Sequence, residues 1–286
     1  MQHSKIIIIS LLISLLWGCT EVIDLELKTA PERLVVDAII TNEDELQIVF
    51  LSKSMAYFNE NEPDPVTGAQ VSIGYEDKMI ELRESVEHSG YYFTEPYNLN
   101  PRPGITYTLH ITTNSENGHH PEYYTASSTM PNNVSLDSIQ MQLRENLDVW
   151  QVLAWFQDSP NQKNYYMFRL KKNDYLFTSR PKDWTVTNNT FFRGKYVNGL
   201  WVQSISADPA RNIMNEGDKI ILAMNSITEE FYNFIVALQR ENTISSPLFG
   251  GPPANTPGNI SNGAFGIFTT MMVDTMGLYY DPILHD

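Results

Sequence analysis

A two-residue alternation of apolar and polar side chains, recurring in short segments along most of the chain, constrains the fold more than any other feature. Successive side chains on an extended backbone point to opposite faces. A segment such as Ile23-Asp24-Leu25-Glu26-Leu27-Lys28 therefore presents one apolar and one polar side. Between residues 33 and 130 the pattern predicts strands at Leu34–Thr41, Leu46–Ser54, Ala69–Tyr75, Met79–Arg83, Tyr91–Thr94, Ile105–Thr112 and Tyr123–Thr129. Turn signals such as Pro101–Gly104 separate them. Short strands at this spacing indicate an immunoglobulin-like or transthyretin-like β-sandwich.

A boundary is expected at Met130-Pro131-Asn132-Asn133, giving domains 19–131 and 132–286. The second half reads as longer strands, Ser135–Arg144, Val149–Gln157, Tyr165–Lys171, Tyr196–Ser204, Lys219–Met224 and Ala264–Val273. One substantial helix is predicted over about 227–240. Phe231, Phe234, Ile235 and Leu238 fall on one helical face, and Ser226-Ile227-Thr228-Glu229 fits a capping box. The expected class is all-β, a sandwich followed by a β-rich domain carrying a single core-packing helix. Asn242–Gly263 stands apart, with four prolines and four glycines. It reads as a long functional loop in which Leu248 and Phe249 are candidate partner-binding side chains.

The N-terminus carries a different message. Lys5 precedes the apolar run Ile6–Trp17, which is too short to cross a bilayer but has the length and flanks of a secretory signal. The run ends in Leu16-Trp17-Gly18-Cys19, which looks like the processing site of bacterial lipoproteins. Cleavage between Gly18 and Cys19 removes residues 1–18, and the Cys19 thiol takes a diacylglyceryl group. No Gly/Ser tether follows Cys19, so the folded body is expected close to the membrane surface. Cys19 is the only cysteine, so no intramolecular disulfide and no cysteine-based zinc site is possible. A formal net charge of −15 argues against nucleic acid or anionic head groups as partners, leaving the lipid as the expected membrane contact.

An ordered set of motifs then carries a resemblance. The lipobox and VIDLEL, then RLVVDAIITN, PDPVTGAQVSI, GITYTLHI and the late PPANTPGNISNGAFGIF together resemble the Bacteroidetes lipoprotein family DUF4249 over nearly the whole mature chain. The resemblance implies an outer-membrane location, with the membrane face left open, and a TonB-dependent receptor-type barrel as partner. It supplies no catalytic residues.

A search for chemistry yields little. His119-His120 are adjacent, and adjacent side chains on an extended chain diverge, so a solvated loop is expected rather than a metal site. The acidic stretch Asn59–Asp64 lacks the ligand order of a calcium loop. No nucleophile elbow, phosphate loop, dinucleotide fingerprint or zincin motif is present. Neither a catalytic set, a metal nor a cofactor beyond the Cys19 lipid is expected. Asn259-Ile260-Ser261 reads as a turn. Asp137-Ser138-Ile139 and Asp274-Thr275-Met276 look like Bacteroidetes O-glycosylation acceptors at Ser138 and Thr275. The leading functional expectation is a non-enzymatic accessory or ligand-presenting lipoprotein serving such a barrel. The alternatives are an adhesion or envelope-architecture module and a surface carbohydrate-active enzyme.

Overall fold

The computed structural model describes residues 31–281 except 44–45, 56–61, 115–119, 161, 174, 209, 211–212 and 244–255, and the fold belongs to the unit Glu32–Asp286. Among the described residues the chain is all-β, with one α-helix. The alternation read from the sequence places most strands. β1 (Leu34–Thr41), β7 (Tyr123–Thr129) and β9 (Val149–Gln157) take the predicted bounds, while β2 (Ile48–Lys53), β3 (Gln70–Tyr75), β4 (Lys78–Glu84), β5 (Tyr91–Phe93) and β6 (Thr106–Thr112) shift at their ends. In the second half come β8 (Leu136–Arg144), β10 (Tyr165–Lys172), β13 (Tyr196–Ser206), β14 (Lys219–Ile227), the helix α1 (Glu229–Thr243) and β15 (Phe265–Tyr279). The short β11 (Tyr175–Leu176) and β12 (Thr185–Asn188) were not expected, because two to four residues carry too little periodicity to be read.

Twelve strands form one sheet, in the order β11-β10-β14-β15-β1-β2-β5-β4-β3-β6-β7, with β12 also pairing β10. β13, β9 and β8 make a separate three-stranded sheet. The long strand β15 serves two neighbours in turn. Its first half runs parallel to β1, from Val35 opposite Phe265 to Thr41 opposite Met271. Its second half runs antiparallel to β14, from Ser226 opposite Met272 to Lys219 opposite Tyr279. At the end of β1, Asn42 continues the pairing with its side chain. Its Nδ2 donates to the Val273 carbonyl at 3.1 Å, and its Oδ1 accepts from the Val273 N–H at 2.6 Å. β15 extends past the predicted Val273 because β14 offers a partner to every residue from Met272 onward.

The large sheet curls back on itself. β7, at its far end, returns to β15, where the Thr270 N–H donates to Ser128 Oγ at 3.0 Å and the two hydroxyls lie 3.0 Å apart. This closure encloses a first core that includes Val36, Ala38, Ile40, Leu51, Ile73, Tyr107, Leu109 and Phe268. A second core lies between the three-stranded sheet and the larger one, where Val152, Ala154 and Phe156 meet Tyr166, Phe168, Leu222 and Met224. On the other side of the larger sheet, Phe231 and Ile235 of α1 pack on Met167, Ala223, Ile267 and Met271. The sandwich-like arrangement thus comes from two layered units that share β15, and β15 adds side chains to the cores on both sides of residue 131.

Helix α1 starts later than the capping box suggested. Ser226 and Ile227 remain in β14, held opposite Tyr166 and Tyr165 of β10. The cap passes to Thr228, whose Oγ1 accepts the Phe231 N–H at 3.2 Å. At its other end the helix runs through Thr243, into the stretch expected to be loop from Asn242.

The segment PGNISNGAFG is a structural staple. Asn259 imitates a strand neighbour, with Oδ1 accepting the Phe268 N–H at 2.9 Å and Nδ2 donating to the Phe268 carbonyl at 2.8 Å. Ile260 enters the first core, and the Ser261 N–H donates to the Thr125 carbonyl at 2.9 Å. Gly266 is required for two reasons. Its φ is +91°, and a Cβ there would stand 1.9 Å from the Val36 carbonyl oxygen.

Candidate functional site

A cleft of about 500 Å³ opens where the two layered units meet. The end of β7 supplies Ser127, Ser128 and Thr129, the start of β6 supplies Thr106, and the connection supplies Pro131 and Asn132. Across from them lie Gln162, Lys163, Asn164 and Tyr165, which lead into β10, and Ser226 to Glu230, where β14 turns into α1. Each group is there for a local reason. Strand alternation turns Thr106 and Thr129 outward, and their hydroxyls meet at 2.8 Å. Asn132 Nδ2 reaches across to Gln162 Oε1 at 3.3 Å.

Most of these polar groups are partnered, but Ser226 is not. Its side chain is 96% buried, from a relative exposure of 4%. Its Oγ is shut off from solvent with no hydrogen-bond partner. β14 holds it there by pairing with β10 on one side and β15 on the other. A buried hydroxyl without a partner costs about 1–3 kcal/mol, and because this Oγ is closed to solvent the cost belongs to the fold itself.

Electrostatics further narrow what fits. Glu229 and Glu230 stand exposed in the first turn of α1, and Lys163 is the one cation among the described lining residues. The carboxylates offset the positive end of the helix, so the rim favours neutral or cationic groups over anions. Tyr165 lines the cleft, its ring 5.1 Å from that of Tyr232. Burial pushes its hydroxyl up to about 12, and a hydrogen bond to Glu229 adds to the shift. No histidine or cysteine is among the described lining residues. The arrangement offers hydroxyls, amides and a phenol, which suits hydrogen-bonded recognition.

The sites expected from the sequence fall elsewhere. Gly18, Cys19, Leu248 and Phe249 lie outside the described residues, as do His119 and residues 59–61 of the acidic stretch. His120 is exposed. His110 stands beside Gly74, and His88 meets the ring of Tyr91 at 6.1 Å. Among the described residues no group of His, Cys, Asp and Glu gathers that could hold a metal ion, and no helix is long and apolar enough to cross a membrane. Ser138 and Thr275 are both exposed on strands. Their triplets come together at the β8–β15 contact, where Asp274 Oδ2 accepts the Leu136 N–H at 2.7 Å. Asp274 thus has a structural task at the entrance to β8.

Sequence reasoning did not single out Ser226 for the cleft. The one signal was the pair Asn225-Ser226 at the end of an apolar strand, since buried polar side chains are rare without a reason. Asn225 is fully satisfied, its Nδ2 donating to the Met167 carbonyl at 2.9 Å, which leaves Ser226 as the unexplained member.

No curated protein matches the chain. A family model described as a domain of unknown function, DUF4249, matches residues 20–276, and so spans the β-sandwich, the cleft, α1 and most of β15. The chain therefore belongs to the DUF4249 family.

Proposed function

We propose that this chain is an outer-membrane lipoprotein of the Bacteroidetes, anchored through a diacylated Cys19, that holds a small polar ligand and presents it to a TonB-dependent receptor-type barrel. The observation that carries the ligand-holding role is the cleft lined by the hydroxyls and amides of Thr106, Ser127, Thr129, Asn132, Gln162 and Asn164. The anchor rests on Leu16-Trp17-Gly18-Cys19 at the end of a short apolar run, followed soon after by β1. A diacyl chain contributes about 0.8 kcal/mol for each buried methylene, enough for stable attachment when two chains insert. In this reading the protein contributes binding and positioning and no bond chemistry.

The test is purification of the tagged full chain in mild detergent from its native host, beside the Cys19→Ala variant. The proposal expects the parent in the membrane fraction with a co-purifying β-barrel, and the variant in the soluble fraction without it. Membrane fractionation unchanged by Cys19→Ala refutes the anchor. A parent protein that brings down no barrel refutes the presentation role.

A further inference from the structure

The three-stranded sheet β8-β9-β13 has one face in the second core, and on the other its edge strands expose Gln140, Gln142, Tyr196, Asn198 and Trp201. Alternation sends Met141, Val152, Ala154, Phe156 and Val197 inward. It sends Gln140, Gln142, Trp155, Tyr196, Asn198 and Trp201 outward. The register sets them side by side. Trp155 of the central strand has Asn198 as its β13 partner, and Leu153, two residues earlier, lies between Gln140 and Trp201. Large rings on a solvent face are costly to leave in water, yet Tyr196 is 51% exposed and Trp201 43%.

Two details show a built surface. β13 carries irregularities between Asn198 and Leu200 and between Trp201 and Gln203. Such bulges re-aim side chains, and here Asn198 and Trp201 are both exposed. The first irregularity places Gly199 at φ +77° against the indole of Trp155. A Cβ at Gly199 would lie 3.0 Å from Cζ2, 3.4 Å from Cε2 and 3.5 Å from Cη2. Three consecutive ring atoms at nearly equal distance mean that the glycine sits against the flat of the indole, so Trp155 lies down along the sheet. Both indole N–H groups are already engaged. Trp155 Nε1 donates to Asn198 Oδ1 at 2.6 Å, and Trp201 Nε1 donates to the Gln203 carbonyl at 2.9 Å and Ser204 Oγ at 3.1 Å. The rings are therefore held in place before any ligand arrives, which lowers the ordering cost of binding.

We infer that this face is a binding platform for a neutral oligosaccharide, seated on Trp155, Trp201 and Tyr196. The C–H-bearing face of a pyranose carries small positive charges that meet the negative face of an aromatic ring, while its equatorial hydroxyls reach sideways. Gln140, Gln142 and Asn198 surround the rings with amides that both donate and accept. Asp137 hydrogen-bonds Tyr196 and Arg144 engages Gln151, so one carboxylate and one guanidinium stand beside these residues already partnered, and a net charge of −15 repels acidic glycans. A docked protein would want a larger contiguous apolar area than the short Trp155–Leu153–Trp201 strip, which amides flank here. The inference rests on neither the lipid anchor nor the barrel partner.

The experiment is titration of the full chain in detergent with cellohexaose, xylohexaose and β-1,4-mannohexaose, followed by tryptophan fluorescence and calorimetry, with polygalacturonate as the acidic probe. At least one neutral hexasaccharide is expected to bind. Trp201→Ala and Trp155→Ala are each expected to weaken it about tenfold or more, the scale of one lost aromatic contact with its buried area. Trp201→Phe should retain most of the binding. Tyr196→Ala, at an exposed position, serves where a tryptophan variant melts early. Failure of all three neutral sugars at millimolar concentration overturns the inference, as does binding that the ring variants leave unchanged or binding confined to polygalacturonate. Loss of a co-purifying protein in Trp201→Ala without any sugar binding also overturns it, assigning the face to a protein partner instead.

Discussion

Asp158 offers the sharpest test of how the second unit is held together. It directly follows β9, is fully buried, and faces four donors with no cation at ion-pair distance among the described residues. Tyr166 Oη donates to Oδ1, as does Asn164 Nδ2 at 2.9 Å, while Asn189 Nδ2 and the Gly194 N–H donate to Oδ2 at 2.9 Å and 2.7 Å. Burial, followed by the hydrogen bond to Asp158, pushes the Tyr166 phenol well above its usual range, which keeps it a donor. Asp158→Ala strips all four donors of this acceptor. The two asparagines keep a second acceptor each, at the Ser159 and Gln162 carbonyls. Tyr166 and Gly194 are left with none among the described contacts. At about 1–3 kcal/mol for the fully buried Tyr166 donor and less for the half-buried Gly194 N–H, the two come to about 2–4 kcal/mol, and the weakened amide contacts add to this. Against a total stability of roughly 5–15 kcal/mol this is a large fraction, and a fall in Tm of roughly 10 °C is expected. Asp158→Asn is no conservative exchange, because its amide turns a donor toward donors, and it should lose more than half as much. The assay is urea and thermal unfolding followed by tryptophan fluorescence, with Tyr166→Phe completing a double-mutant cycle. Tyr166→Phe should cost about 1–2 kcal/mol in the parent and nothing in Asp158→Ala, where it removes an orphan. If Asp158→Ala unfolds within about 0.5 kcal/mol of the parent, the scale of a neutral surface change, the carboxylate does not organise this region and the reasoning fails.

Three further outcomes are expected of the same structure. Ser226→Ala should leave stability unchanged or raise it by up to about 1 kcal/mol in ligand-free protein, since it deletes an unpaired hydroxyl; a loss of 2 kcal/mol or more in chemical unfolding, on the same scale of about 1–3 kcal/mol per lost contact, would mean that Ser226 has a partner within the fold. Asn259→Ala should destabilise by about 2–3 kcal/mol through loss of both bonds to Phe268, and Asn259→Asp by a comparable amount because it loses the donor, as chemical unfolding would show. Asp218, held down to about 2 chiefly by the hydrogen bond from Lys172, stabilises the fold above its ordinary value of 3.8 and loses that contribution as pH falls from there toward about 2; Asp218→Asn should be less stable at neutral pH and show a shallower acid dependence across that window.

The strands were legible where burial on one side imposes alternation. β1 reads LVVDAIIT with Leu34, Val36, Ala38 and Ile40 inward, and the sequence places it to the residue. Helix α1 was legible through Phe231 and Ile235, but its start was not. The competition between β14 pairing and capping at Ser226 depends on Tyr165 and Tyr166, which come some sixty residues earlier. The staple at Asn259 was read as a turn from its composition, while its pairing with Phe268 needs the third dimension. The cleft could not be read at all. Its lining comes from β6, β7, the β9–β10 connection and the β14–α1 turn, and no local spacing reports that convergence. The outward rings of β9 and β13 were visible as aromatics within strands. Only the bulges and Gly199 show that they lie on the solvent face, flat and fixed.

The sharing of β15 also bears on timing. Asn42 and Val273, which close the end of β1 together, stand 231 residues apart. A chain made from its N-terminus first exposes the apolar edge of β1 long before the strand that covers it exists. Neither layered unit can finish its sheet until nearly the last segment is delivered, so the two complete together, and late. Such distant pairing makes folding slow and keeps the chain extended while it is being synthesised. The molecule locks only once β15 is in place between β1 and β14.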